Sequence, residues 1–331
     1  MSGEAHLYPL LFTPVYKHYI WGGDRISRTY GRHLPPGIYA ESWEISNRPE
    51  GMSVVANGDL AGKGLKDLVI ESGVDLLGRG RSHFPLLFKL LDSRECLSVQ
   101  VHPNGANAGT VGGEPKTEMW YVLAADPDAH VFAGLAEGVG EPEFTQALRE
   151  GKVSGVLNSV PVSAGDAVYI PGGRIHAIDK GCLLLEVQQN SNTTYRVYDW
   201  GRVGADGIAR PLHIEQAMKV INWSDRCMAK HIPQRIGSLG KAGSISAIVS
   251  CPFFIVELLD IVGSVEIECD GSGFHALFTE SGEVCVQAGD VSVFAGAGVS
   301  CLVPASQPCY RLTAGPNGAR VVRTTLPART P

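Results

Sequence analysis

The segment AGDAVYIPGG (Ala164–Gly173) returns in the C-terminal third of the chain as AGDVSVFAGA (Ala288–Ala297). In both copies a Gly-Asp turn leads into a four-residue run of strand-forming residues, which ends in a second Gly-containing turn. A unit of turn, short strand and turn used twice, with short apolar runs around it, predicts a mainly β fold of two related jelly-roll or β-barrel units. The composition agrees. The 331 residues suit about two domains, and 40 Gly and 20 Pro without a fixed period signal many turns.

Working outward, residues 1–58 alternate short apolar runs with Gly and Pro and read as strands and turns. Pro85–Leu91 (PLLFKLL), Cys96–His102 (CLSVQVH), Thr117–Leu123, Ala167–Ile170 and Leu183–Gln188 read as strands, and the Gly- and Asn-rich 104–115 as a loop. Leu65–Leu77 places apolar residues at 65, 68, 69, 76 and 77, near a 3.6-residue period, which predicts a short helix. Glu141–Asn158 predicts one or two helices and His213–Ile221 another. These give a small helical insertion in the N-terminal part, at about 59–80 and 139–158. From about 236 the pattern is nearly all β, with strands expected at Phe253–Asp260, Ser264–Cys269, Ala276–Glu280, Val284–Gln287, Val291–Phe294 and Tyr310–Thr313. The expected division is therefore 1–235 and 236–331.

Several function classes are excluded. A net charge of −6 supplies no basic face for a phosphate backbone, so no nucleic-acid partner is expected. Val291–Tyr310 carries no charge, but its prolines and glycines make it a buried strand pair rather than a membrane span. The N-terminus lacks a basic region followed by a clean apolar stretch, so the reading is a cytoplasmic protein. The 8 Cys contain no Cys-x-x-Cys pair and are expected to be reduced core residues.

Three segments carry the chemistry. On a strand, Ser98, Gln100 and His102 share one face while Leu97, Val99 and Val101 share the other. Three polar positions in a row on one face require water or a ligand, because burying them unpaired is costly. Lys116, Glu118 and Trp120 likewise share a face. The run from Gly165 to His176 has the form Gly-x5-Pro-x-Gly-x2-His, which resembles the second motif of cupins, a family in which that His binds metal. The candidate ligand set is Gln100, His102, Glu118 and His176. Two His and one Glu is a catalytic zinc arrangement that leaves a position open, and iron, nickel or copper also accept imidazole. By spacing alone, each His is equally readable as a hydrogen-bonded or surface residue, and Glu118 as a surface charge.

Ser98-Val-Gln-Val-His-Pro, Lys116-Thr-Glu-Met-Trp-Tyr, Pro171-Gly-Gly-Arg-Ile-His-Ala and Asn190-Ser-Asn-Thr-Thr-Tyr-Arg resemble, in order, the signatures of type I mannose-6-phosphate isomerases. The run Tyr195-Arg-Val-Tyr-Asp-Trp-Gly-Arg is similar to the short bacterial branch. The similarity extends from about Pro14 to Gly201 and includes Trp21-Gly-Gly. It implies a metal-dependent aldose–ketose isomerase that interconverts mannose 6-phosphate and fructose 6-phosphate through an enediol(ate). It implies one zinc ion per chain on Gln100, His102, Glu118 and His176. It further implies that Arg196 and Lys116 act in catalysis, and that Ser98, Lys89 and Arg202 lie on the phosphate side. Residues 1–235 would form the catalytic metal-binding cupin domain. Residues 236–331 would form a second cupin-like unit without metal, since no His follows its Phe294-Ala-Gly-Ala-Gly turn. The sequence also departs from the family. Longer members carry an Asp just before the active-site Arg, whereas 190–194 here hold no acid, and their Lys six residues after that Arg is Arg202. The expected partner is a small sugar phosphate, with the oligomeric state left open. A cupin-type iron oxygenase and a non-catalytic sugar-phosphate sensor are the rival readings.

Overall fold

The computed structural model describes residues 7–204 and 207–328. The chain is mainly β, with four α-helices among the described residues: α1 (Arg25–Tyr30), α2 (Leu65–Leu77), α3 (Glu141–Glu150) and α4 (Ile214–Val220). It divides into two compact units. One comprises Met1–Val15, Trp43–Leu87 and Ile232–Pro331, and the other Tyr16–Ser42 and Phe88–His231. The boundary near 232 lies close to the expected 235, but in this division two N-terminal segments, with α2, group with the C-terminal strands.

The unit containing Phe88–His231 is built on two open sheets. In the first, Leu157–Pro161, His130–Leu135, His176–Ile178, Val99–Val101 and Tyr195–Tyr198 are antiparallel neighbours in that order. In the second, Lys230–His231, Ala167–Ile170, Glu118–Ala125, Cys182–Gln189 and Leu86–Ser93 are consecutive neighbours. Strand alternation gives the first sheet two different faces. Val99, Val101, Phe132, Ala177, Tyr195 and Val197 point outward and pack with Phe144 of α3 or Ala217 and Val220 of α4, all buried. Val131, Ala133 and Ile178 point inward and form one core with Trp120, Val122, Val168, Ile170 and Leu184 of the second sheet. Burying this many apolar side chains, at roughly 1.5–3 kcal/mol each, holds the sheets together. The two helices therefore shield one face so that the other is free to carry polar groups.

Leu97 departs from the expected alternation. It joins the inner core, away from Val99 and Val101, because regular pairing begins only at Val99 and the Leu97 N–H donates to the Ile178 carbonyl at 2.8 Å.

In the other unit, ten strands form one sheet. Its main path runs Gln234–Ser238, Gly243–Ser250, Ile255–Ile261, Cys309–Thr325, His275–Ala288, Ser300–Val303, Leu10–Thr13 and Val54–Val55. The runs expected at 276–280 and 284–287 are one bulged strand, His275–Ala288. Its core contains Leu259, Leu277, Val286, Cys301, Leu312 and Val321. The repeated motif has the same local cause in both units. Gly165 (φ 92°) and Gly289 (φ 55°) take left-handed backbone before Ala167–Ile170 and Val291–Gly296, a conformation that a Cβ penalises.

Gly22 fixes the inner wall near Trp21. A Cβ there would lie 2.6 Å from both the backbone nitrogen and Cα of Ala40. Gly22→Ala should therefore destabilise the protein by ~1–3 kcal/mol, as overpacking does. An unchanged denaturation midpoint would show that this backbone contact is loose.

A candidate metal centre in the first sheet

Register brings the site together. His176 pairs with Gln100, and Gln100 on its other side pairs with Arg196, so three inward positions lie side by side on neighbouring strands. Glu118 begins the facing strand Glu118–Ala125, where it pairs with Ile170 and Gln188. His102 follows Val99–Val101 directly, and its carbonyl accepts from Gly173 N–H at 2.8 Å, tying the two His-bearing turns together.

The donor atoms of His102, Glu118 and His176 all lie within 4.8 Å of one another, and all three side chains are buried. His102 Nε2 is 3.5 Å from one Glu118 oxygen and His176 Nε2 is 3.4 Å from the other. Neither imidazole Nε2 has a hydrogen-bond partner among the described residues, nor does Glu118 Oε1. Buried polar atoms in this state each carry a penalty of about 1–3 kcal/mol unless something satisfies them. His176 Nδ1 lies 2.8 Å from the Arg174 carbonyl and must donate to it, which leaves Nε2 as a lone-pair donor toward Glu118. Burial, then the Lys116 charge, lowers the His102 imidazole to about 3, so it is neutral. Burial also lowers the His176 imidazole. Burial pushes the Glu118 carboxyl up, but Lys116 and then His102 overcome this and hold it well below the usual carboxylate range. Two neutral imidazoles and one carboxylate around unsatisfied space fit a divalent cation.

A cavity of about 330 Å³ adjoins these groups. Of the residues expected at the site, Ser98, Gln100, Lys116, Lys89 and Arg196 line it. Lys116 Nζ is 2.8 Å from Glu118 Oε2. Lys89 is buried between Glu186 (3.2 Å) and Glu41 (3.6 Å). Burial acts to lower its pKa, but the two carboxylates outweigh burial and raise it, so it remains charged. Arg196 donates from Nη1 to the Pro211 carbonyl at 2.9 Å, and its buried Nε has no partner among the described residues. Arg202 does not line the cavity. Its guanidinium donates to Asp199 and to the Cys96 carbonyl.

Sequence reasoning passed over Glu186, Glu41, Tyr19, Arg210 and His213, all of which line the cavity. Glu186 carried a readable signal, as the one acid in the otherwise uncharged strand CLLLEVQQ. Its Oε2 accepts from Trp120 Nε1 at 3.0 Å while its other oxygen faces Lys89.

The family model of the phosphomannose isomerase type I catalytic domain matches residues 10–148. The mannose-6-phosphate isomerase of Streptococcus mutans is 41% identical over 262 residues, spanning 78% of this chain and 81% of that protein. The mannose-6-phosphate isomerase ManA of Bacillus subtilis is 37% identical over 266 residues, spanning 78% and 82%. The crystal structure of a mannose 6-phosphate isomerase from Bacillus subtilis matches with a TM-score of 0.87 at 31% identity, over 96% of this chain and 99% of that one.

His102→Ala should remove bound metal, because it takes away one of two imidazole donors. Elemental analysis of the purified variant should show less than about a tenth of the wild-type metal content, on the scale of losing a direct ligand. Full occupancy would remove His102 from the ligand set.

Proposed function

The chain belongs to the type I phosphomannose isomerase family, and from that premise we infer that it interconverts mannose 6-phosphate and fructose 6-phosphate. The observation that carries this reading is the buried His102–Glu118–His176 cluster adjoining a cavity lined by Ser98, Lys116 and Arg196. We assign the metal as zinc, one per chain, on His102, Glu118 and His176 with Gln100 as a neutral oxygen donor, and catalysis to the unit containing Phe88–His231. No helix among the described residues is long and apolar enough to cross a membrane.

The reaction moves a proton between C1 and C2. A C–H bond breaks at one carbon and another forms at its neighbour, and a hydroxyl proton changes oxygen by way of an enediol(ate). Bound zinc would supply Lewis acidity at the sugar oxygens. Arg196 is suited to the developing enediolate charge. Its position opposite Gln100 puts a planar, permanently charged donor fork beside the ligand strands. Lys116, held by Glu118, offers its remaining N–H groups to a sugar oxygen. Ser98 and Lys89 add polar donors along the wall. The pairing of Lys89 with two carboxylates suits it to orient sugar hydroxyls, because its charge is already compensated.

Arg196→Ala should lower kcat by ~10²-fold or more, the scale of losing an electrostatic stabiliser. Wild-type turnover in that variant would exclude Arg196 from the chemistry. Treatment with a chelator should abolish the conversion of mannose 6-phosphate, and added zinc should restore it. Full activity in protein shown to be metal-free would overturn the metal-dependent reading.

A further inference from the structure

The cations around the cavity are not equally available to an anion. Lys116 is satisfied by Glu118 at 2.8 Å. Lys89 stands between Glu186 and Glu41. The remaining positive charge lies on Arg196, Arg202 and Arg210, which share a single nearby carboxylate, Asp199. Arg210 donates from Nε to Asp199 Oδ2 at 2.8 Å and from Nη2 to Oδ1 at 2.6 Å. Arg202 adds a 2.5 Å bond to the same Oδ1. Three guanidiniums against one carboxylate concentrate positive charge at this end of the cavity, and it is not cancelled by the acids around Lys89 and Lys116 taken together. Arg196 reports this crowding: burial first, then the Arg210 charge, lowers its pKa.

The three arginines have different roles. Arg196 sits on the sheet beside Gln100. Arg202 is a strut, since it spends its donors on Asp199 and on the Cys96 carbonyl, two residues before Ser98. Arg210 lines the cavity. Its Nε and Nη2 are fixed by Asp199, and its Nη1 has no hydrogen bond among the described residues. A fork held on one edge by a carboxylate presents its other edge already oriented, so little rotamer entropy is lost when an anion docks.

Asp199 is itself held in place. It is 7% exposed, and its carbonyl accepts from the Arg202 N–H at 3.0 Å. The next residue, Trp200, takes φ 58°, the one non-glycine residue with positive φ among the described residues. A bulky aromatic side chain is strained there. The indole Nε1 compensates by donating to the Leu97 carbonyl at 2.7 Å. The loop carrying Asp199 is thus pinned to Cys96–Leu97, the segment that leads directly into Ser98.

We propose that Arg210 is the residue that recognises the phosphate of the sugar substrate, and that Asp199 is a positioning residue that aims Arg210 without touching substrate. This rests on the isomerase reading and deepens it. It moves the phosphate-side cation from Arg202, whose donors are engaged, to Arg210. The surplus of positive charge at the arginine end of the cavity favours a dianionic phosphate monoester, and a neutral hexose gains nothing from it.

The test uses the full chain with its metal. Steady-state kinetics on mannose 6-phosphate and competitive inhibition by inorganic phosphate are measured for the wild type, Arg210→Gln, Arg210→Lys and Asp199→Asn. Arg210→Gln should raise KM and the phosphate inhibition constant together, by about 10- to 100-fold, as for loss of charge-assisted hydrogen bonds, with a much smaller change in kcat. Arg210→Lys should recover part of this loss. Asp199→Asn should move the same two constants in the same direction by a smaller factor. Unchanged KM and inhibition constant in Arg210→Gln would overturn the assignment of Arg210. A fall in kcat and melting temperature in Asp199→Asn, with KM and the inhibition constant unmoved, would make Asp199 a structural residue and overturn its positioning role. A wild-type chain that does not isomerise the substrate would overturn the isomerase reading instead, and calorimetric titration with inorganic phosphate would still test Arg210 as the anion site.

Discussion

The opposition of Glu118 to His102 and His176 inside the sheet sandwich is the constraint to which the rest of the unit containing Phe88–His231 answers. The three side chains are buried, and His102 Nε2, His176 Nε2 and Glu118 Oε1 converge without hydrogen-bond partners among the described residues. An ionised carboxylate is costly in such a place unless positive charge stands beside it. Lys116 supplies part of that charge from 2.8 Å. A divalent cation between the imidazoles would supply the remainder and would satisfy both Nε2 atoms at once.

The architecture makes this arrangement tolerable. The first sheet can turn Gln100, His176 and Arg196 inward because its outer face is covered by α3 and α4. The apolar share of the interior is displaced to one side, where Trp120, Val122, Ile170 and Leu184 pack. Trp120 belongs to both regions: its ring meets His176 edge-on at 5.5 Å and its Nε1 binds Glu186. A chain of contacts therefore runs from the His176 ring through Trp120 and Glu186 to Lys89, so that the imidazole and the cavity wall are set by the same packing.

How legible each part was depended on how local its cause is. That His102, Glu118 and His176 converge was legible mainly through the resemblance of their segments to a known family, since a strand's period of two and a Pro-Gly turn fix only the local direction of each side chain and not which segments meet. The β character of the second unit was readable from its local pattern of short strands and turns. Helix α1 was missed because its first N–H is satisfied by the carboxylate of Asp92, far away in sequence, and not by a local cap. The fate of Arg202 was equally hidden. Two arginines in one loop look alike in sequence, and only the Cys96 carbonyl and the shared Asp199 distinguish the strut from the cavity residue. Glu186 and Glu41 were passed over because the significance of each comes from Lys89 on a different strand.

X-ray absorption spectroscopy at the metal edge of zinc-loaded protein tests the convergence of these strands most directly. The account predicts a first shell made only of nitrogen and oxygen at ~2.0–2.1 Å, with the outer-shell signature of two imidazoles. A shell containing sulfur, or one made of oxygen alone without imidazole scattering, would contradict it, because the ion would then be held somewhere other than between His102 and His176.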